Sequence, residues 1–411
     1  MSDRDERPTP DTRSPISAGE KLAGVDEIDV VVEKLIAGGD GLARWQGVPI
    51  FIPRSSPGDR LRVSLIERRP DYGRAEILEI LSAGPGRRTP PCPYFGRCGG
   101  CDLQHLSDEL QVKLKADAVR ETLARLGGIS AAIPMEIVTG AAWGYRQRAQ
   151  IHTAGRDEDL RVGFRTRRGS DVVAVDTCPI LVPELDSQLE VLADLLPPIP
   201  PKRLDMVVGD NGALSTAPRT PSLPQGTIQI SVGDSSYDLD ARCFFQAHRE
   251  LLPDLIGHVV GPWQGDRAYD LYAGVGLFSL PLAKLYDRVV AVEGDSVAGR
   301  YLKRNARHNR LDHISLVHSA VESWIGRLPD RPDRLVVDPP RPGLSREVCR
   351  LLCVRQPRRL TYVSCHAAAL ARDLKILSAA FEIERITLID LFPQTGHMEV
   401  VAQLASRPAR A

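Results

Sequence analysis

Between Ile28 and Leu81 the chain runs in short apolar–polar alternations, IDVVVEKL, VPIFIP, RLRVSLI and RAEILEIL, broken by the turn-forming stretches AGGDG and SSPGD. A period of two marks half-buried strands, and several such strands at close spacing predict a small OB-like β-barrel. From Ser107 to Leu126 the apolar residues fall at helical spacing instead. Residues 140–240 return to a β-rich, irregular pattern in GYRQRAQIHTAG, RVGFRTRRGSDVVAV and QISVGDSSYDLD. Beyond Arg242 the runs AYDLYAG, RVVAVEGD, RLVVDPPR and RLTYVSCH read as strands ending in loops. They alternate with helical stretches such as SVAGRYLKRNARHN. That alternation predicts a doubly wound, Rossmann-like α/β sheet with ligands at the carboxyl ends of its strands. The expected layout is a disordered tail over 1–25, a barrel over 26–84, a β-rich central domain over 85–240 and an α/β domain over 241–411.

Composition narrows the class. The 411 residues are 43% hydrophobic and 26% charged with a formal net charge of zero, so any nucleic-acid surface must be a local basic face. Two such stretches exist: residues 54–74 carry six Arg against three acids, and residues 146–168 carry seven against three. Tyr72, Tyr145 and Phe164 lie within or beside them as candidate base-stacking rings. The polar, Pro-containing N-terminus has no apolar core, and no run approaches the roughly 20 apolar residues of a membrane span. A cytoplasmic protein without a membrane partner is expected, and there clustered cysteines serve as ligands or catalysts more often than as disulfides.

The loop Asp270-Leu-Tyr272-Ala-Gly274-Val-Gly276-Leu277-Phe stands at a strand-to-helix junction, where its glycines let backbone approach a ligand. Glu293, nineteen residues after Gly274, ends the next strand and suits ribose hydroxyls. Ser279 replaces the third glycine of the dinucleotide fingerprint, so no pyrophosphate cradle is specified. Nicotinamide dinucleotide, S-adenosylmethionine and a bare turn all fit this loop alone. Asp338-Pro-Pro-Arg-Pro-Gly resembles a methyltransferase motif, with Arg341 where amino-methylating enzymes place a stacking aromatic residue. Cys365 ends the strand Thr-Tyr-Val-Ser-Cys, and Glu399 follows a turn into the last strand. Methylating uracil at C5 needs such a pair: a thiolate to add at C6, and a base to take the C5 proton.

Taken together, GGDGLAR and PGDRLRV, the cysteine knot, FFQ ending at Gln246, DLYAGVG, VVAVEGD, DPPRPG, YVSCHAAALARD and the tail Asp390–Glu399 resemble one family. It is that of the RNA 5-methyluridine methyltransferases of the RumA/RlmD type, which carry a TRAM domain and an iron–sulfur cluster. The resemblance spans residues 28–400. It implies that Gln246, Tyr272, Glu293 and Asp338, with the Gly274–Gly276–Leu277 loop, contact S-adenosylmethionine. It further implies Cys365 as nucleophile, Glu399 as base, and RNA as substrate, with 23S ribosomal RNA favoured over tRNA, in a monomeric enzyme. A catalytically inactive RNA-binding relative is the non-enzymatic alternative. Three positions depart from the family pattern: Leu277, His248 and His366 each stand where asparagine is usual.

Cys92, Cys98 and Cys101 lie within ten residues, and Cys178 repeats the Cys-Pro pairing of Cys92 as a fourth donor. Four thiolates suit tetrahedral zinc or a [4Fe–4S] cluster. Three close donors and one separated by 76 residues favour the cluster, and the resemblance points the same way. His105 is an alternative ligand. Cys243, Cys349 and Cys353 read as core residues.

Overall fold

The structure is a computed structural model that describes residues 18–130 and 132–408. The expected disordered tail lies outside the described residues as far as residue 17. Its last part is ordered: Ala18–Lys21 forms a helical turn, Leu22 is fully buried, and Val25 packs beside it on a barrel core. The chain divides into two compact units, one of residues up to 36 with 40–87, the other of 37–39 with 88 onward. Among the described residues no helix is long and apolar enough to cross a membrane.

The first unit is a closed five-stranded barrel. Its strands are β1 (Glu27–Leu35), β2 (Gly41–Trp45), β3 (Val48–Ile52), β4 (Arg60–Arg68) and β5 (Gly73–Ser82), in the order β1-β2-β3-β5-β4. Alternation along β1 sends Ile28, Val30 and Val32 inward against Ile50, Ile52, Leu61 and Val63. Closure through the β1–β4 ladder leaves no free edge in the barrel.

In the second unit, β6 (Met135–Val138) precedes a five-stranded sheet. That sheet contains β7 (Arg148–Ala154), β8 (Arg161–Arg165), β9 (Val172–Ala174), β10 (Arg203–Val208) and β11 (Leu214–Ala217), ordered β11-β10-β7-β8-β9. The helix Pro183–Leu195 buries Leu185, Leu189 and Leu192 in the same apolar cluster as Ile151 and Leu204. A hairpin follows, β12 (Ile228–Val232) and β13 (Ser235–Leu239).

The largest sheet is built from β14 (Gly265–Leu271), β15 (Tyr286–Glu293), β16 (Ile314–His318), β17 (Arg334–Val337), β18 (Arg359–Ser364), β19 (Phe381–Ile389) and β20 (Glu399–Ser406). With β6 at one edge, its order is β16-β15-β14-β17-β18-β20-β19-β6. Strands β14 to β18 are mutually parallel, and β20 runs antiparallel to both its neighbours. The chain winds outward from β14 in one direction, then returns to β17 and winds in the other. The switch point between β14 and β17 opens a crevice at their carboxyl ends.

The boundary expected at residue 240 is not a break in this unit. Strand β6 pairs with β19, and Ala116, Val119 and Leu123 share a core with Leu360, Leu370 and Val400. The helix Asp108–Thr122, capped by the Ser107 hydroxyl, carries Ala116 and Val119 into the α/β core, with Leu123 directly after it.

Candidate functional site

Each residue expected at the active site lies on or just beyond the carboxyl edge of the large sheet, apart from Gln246, which precedes β14. After β14, Tyr272 adopts a left-handed backbone (φ 64°), an uncommon state for a residue with a side chain, while its hydroxyl donates to Glu322 Oε1 at 2.8 Å. Gly274 has φ 56°, and a Cβ built there would meet nothing within 4 Å, so the backbone faces open space. Gly276 (φ 97°) is required by its left-handed backbone, and a Cβ would also crowd Leu280 Cδ1 at 2.8 Å.

The loop is held from three sides. Glu293, at the end of β15, accepts from the Gly274 amide at 2.7 Å and from the Asp295 amide at 2.6 Å. Asp270 accepts from Ser279 Oγ at 2.5 Å, so the serine in place of the third glycine is a carboxylate partner. Asn305, fully buried, donates to Val275 O and Asp238 O at 3.0 Å each and accepts from the Asp238 amide at 2.7 Å. Asn305 was missed in the sequence. Its signal was a polar residue on the buried face Ala298, Leu302, Asn305, Ala306 of an otherwise amphipathic helix, Ser296–His308.

Among the buried polar atoms without a hydrogen-bond partner are Asp270 Oδ1, at this edge, and Gln246 Oε1, before β14. Gln246 is 3% exposed and its backbone carbonyl is held by Gln147 Nε2 at 2.9 Å. Native proteins rarely leave such atoms unsatisfied, so both have acceptor capacity to spare for a partner. Leu277 is buried in the apolar core and uses its carbonyl to accept from Tyr237 at 3.1 Å.

A second half of the crevice is formed by β17, β18 and β20. Asp338 follows β17. The ladder of β18 on β20 ends with Ser364 opposite Val400, so Cys365 just after β18 and Glu399 at the start of β20 leave the same end of the pair, close enough for the Glu399 charge to act on the thiol. Glu399 is buried, whereas Cys365 is partly exposed. The carboxyls influence one another in sequence across the edge. Burial, with the charge of Glu293, pushes Asp270 up to about 7. Burial and Asp270 push Asp338 up to about 7. Burial and Asp338 raise Glu399 well above the ordinary carboxyl range. The Cys365 thiol is pushed up to about 11, first by burial and then by Glu399, with Arg341 opposing. Arg341 Nη2 also stands 3.2 Å from His397 Nε2.

The two histidine departures have separate outcomes. His366 Nδ1 accepts from the Ala369 amide at 3.2 Å and so caps the helix Ala367–Leu377, the task an asparagine side chain performs at such a position. His248 is fully buried and stacks on Tyr145 with ring centroids 4.7 Å apart. Its Nε2 lies 3.0 Å from Ala141 O. Tyr145, expected to stack on RNA bases, is instead a buried strut whose hydroxyl donates to Pro393 O at 2.9 Å.

The four cysteines Cys92, Cys98, Cys101 and Cys178 all line one cavity of about 230 Å³, with Arg146 and Gln104 also on its wall. Among the described residues no three His, Cys, Asp or Glu side chains converge tightly enough to ligate a single metal ion. His105 is buried against Phe95 instead of lining the cavity. Cys243 and Cys349 are core residues, and Cys353 is half-buried.

Of the basic stretches, Arg62, Arg68, Arg69 and Arg74 already pair with acids of the barrel. Exposed Arg156, Arg161 and Arg165 form no ion pair among the described residues and keep their charge for a partner.

The sheet order, with a switch-point crevice beside a Gly-containing loop and an antiparallel β20, defines a class I methyltransferase fold. Family models agree: residues 225–407 match the tRNA (Uracil-5-)-methyltransferase family, and residues 25–78 match the TRAM domain. The 23S rRNA (uracil(1939)-C(5))-methyltransferase RlmD of Shewanella amazonensis is 33% identical, covering 92% of this chain and 95% of its own length. The protein of the same name from Enterobacter sp. (strain 638) is 34% identical, covering 88% and 92%. The crystal structure of Pyrococcus abyssi tRNA (uracil-54, C5)-methyltransferase in complex with S-adenosyl-L-homocysteine shares the fold, with a TM-score of 0.73 and 24% identity over 92% of this chain and all of that one. The chain belongs to the family of S-adenosylmethionine-dependent RNA uracil-C5 methyltransferases.

Proposed function

We propose that the protein methylates C5 of a uridine in 23S ribosomal RNA, with Cys365 as covalent nucleophile and Glu399 as base. The emergence of Cys365 and Glu399 at the same end of the β18–β20 pair, beside the cofactor loop, supports this reading. The rRNA assignment rests on the relatives, which act on that molecule by name.

S-adenosylmethionine supplies an electrophilic methyl group on a sulfonium. The residues present suit it: an open backbone face at Gly274, orphaned oxygens on Gln246 and Asp270, and a row of carboxyls that favours a cation. Tyr272, Gly276 and Glu293 complete that wall, while Leu277, also expected there, turns its side chain into the apolar core and gives its carbonyl to Tyr237. Cys365 adds to uracil C6 and makes C5 nucleophilic. After methylation Glu399 removes the C5 proton, the C5–C6 double bond re-forms, and the sulfur leaves as thiolate. Its burial keeps Glu399 a stronger base than an exposed carboxylate, and Arg341 favours the thiolate of Cys365. RNA bearing 5-fluorouridine at the target should form an adduct with the protein that survives denaturation. Absence of the adduct while RNA still binds would overturn the covalent mechanism. Mapping 5-methyluridine in ribosomal and transfer RNA from cells lacking the gene tests the substrate.

The four cysteines are assigned to a [4Fe–4S] cluster. The four thiols line one cavity and would hold such a cluster, and three close cysteines with one distant suit it better than the paired ribbons of structural zinc. Arg146 offsets the negative charge of the thiolates. The group would act as a staple for a loop-rich segment, since methyl transfer moves no electrons to a metal. Anaerobically purified protein should hold about four iron and four sulfide per chain. Colourless protein with one zinc would reject the assignment.

A further inference from the structure

The loop that delivers Glu399 to the crevice, residues 390–398 between β19 and β20, is fastened by the peptide immediately after Cys101. The amides of Asp102 and Leu103 both donate to Gln394 O at 2.9 Å. The Asp102 carboxylate accepts from the Gly396 amide at 3.0 Å through Oδ2, and its other oxygen pairs with Arg167 Nε at 2.8 Å. Gln394 itself has φ 67°, a left-handed backbone that a glutamine holds only when its surroundings dictate it. Those surroundings are on the page: Gln111 Oε1 accepts from the Gln394 amide, Gln111 Nε2 donates to Gln394 Oε1 at 2.9 Å, and the Gln394 side chain donates to Asp108 at 2.8 Å. Residues 102 and 396 are almost three hundred positions apart, so only the fold brings them together.

We propose that Asp102 is a positioning residue for the base: it fixes the Gln394–Gly396 turn, and through it the entry of Glu399 into β20. The cysteine segment is then the part of the chain that sets the geometry of proton removal. This rests on Glu399 being the base. The two steps of the reaction make the claim separable from a general loss of fold. Addition of Cys365 to C6 and attack of C5 on the methyl group do not need the base. Removal of the C5 proton does, because the electron pair of that C–H bond forms C5=C6 as the S–C6 bond breaks and the thiolate leaves.

The test is a single-turnover reaction of the full-length protein with uridine RNA and methyl-labelled S-adenosylmethionine. Label is followed into the protein–RNA adduct and into released RNA on denaturing gels. Asp102→Ala should form labelled adduct at near wild-type rate but release it roughly 10- to 100-fold more slowly, the cost of a misplaced reacting group. Asp102→Asn keeps an acceptor for the Gly396 amide and should recover most of the release rate. Glu399→Gln is the control for the base itself and should also accumulate labelled adduct. Release by Asp102→Ala at the wild-type rate, or equal loss of formation and release, would overturn the proposal. If Glu399→Gln fails to accumulate adduct, the base assignment falls, and hydrogen exchange then judges the fastening alone. Loss of protection at Gly396 in Asp102→Ala, with an unchanged urea midpoint, supports it; unchanged protection rejects it.

Discussion

Lys115 offers a quantitative test of how the tail that leads to Glu399 is held. Its ammonium is buried in the helix Asp108–Thr122 and lies 2.8 Å from Asp390 Oδ1, with a second bond to Phe392 O at 2.9 Å. The two side chains are 1% and 4% exposed. Burial pulls the lysine below its ordinary value, and the Asp390 carboxylate opposes that pull. Lys115→Met fills the same space but strands a carboxylate in the core, which costs about 3–5 kcal/mol. Changing both partners, Lys115→Met with Asp390→Asn, removes the stranded charge and should restore most of that loss, leaving roughly 1 kcal/mol for the missing bond to Phe392 O. Urea unfolding of the two single variants and the double variant at pH 7.5 closes the cycle, with an expected coupling of at least about 2 kcal/mol, more by whatever Asp390→Asn costs in stranding the ammonium. Coupling below about 0.5 kcal/mol would refute the view that the pair fastens this tail.

Further expectations concern the crevice. Cys365→Ala should abolish methylation yet bind S-adenosylmethionine as the wild type does, by calorimetry; measurable turnover would sink the nucleophile assignment. Asn305→Ala leaves three backbone groups without their partner, each worth about 1–3 kcal/mol, so cofactor affinity should fall at least tenfold; unchanged affinity would show that the GVG loop holds itself. Asp270 keeps a proton that the unfolded chain releases, because burial lifts it from 3.8 to about 7. Stability therefore declines as pH rises through that interval, by at most about 4 kcal/mol. Asp270→Asn should flatten the decline between pH 5 and pH 8 in urea titrations, and parallel profiles for both proteins would contradict it. Arg341→Gln removes the cation that favours the Cys365 thiolate, so adduct formation should slow and its pH profile should move upward. An unmoved profile would assign Arg341 to substrate contact alone.

Much of this was legible in the chain. Alternation of period two specifies the barrel strands because one face of each must be buried. The strand–loop–helix rhythm after Arg242 specifies a parallel sheet, since parallel strands need crossovers. Strand-end placement of Gly274, Glu293, Asp338 and Cys365 followed from those patterns, because open α/β sheets gather ligands at one edge.

Other features had no local signal. The sequence could not show that the helix after Ser107 and strand β6 belong to the α/β core, because helical periodicity does not say which surface the apolar stripe meets. Tyr145 looked like an RNA-stacking ring beside arginines, and only packing revealed it buried against His248. His366 looked like a disturbance beside Cys365; the backbone made it a helix cap. The sequence by itself determined which residue types the chemistry has available and on which strands they end. Tertiary structure alone decided their partners: the β18–β20 pairing that brings Cys365 and Glu399 to one end, the Asn305 clasp on the glycine loop, and the Asp102 and Lys115 bonds to the tail. Those contacts span tens to hundreds of residues, and only close packing of distant segments can form them.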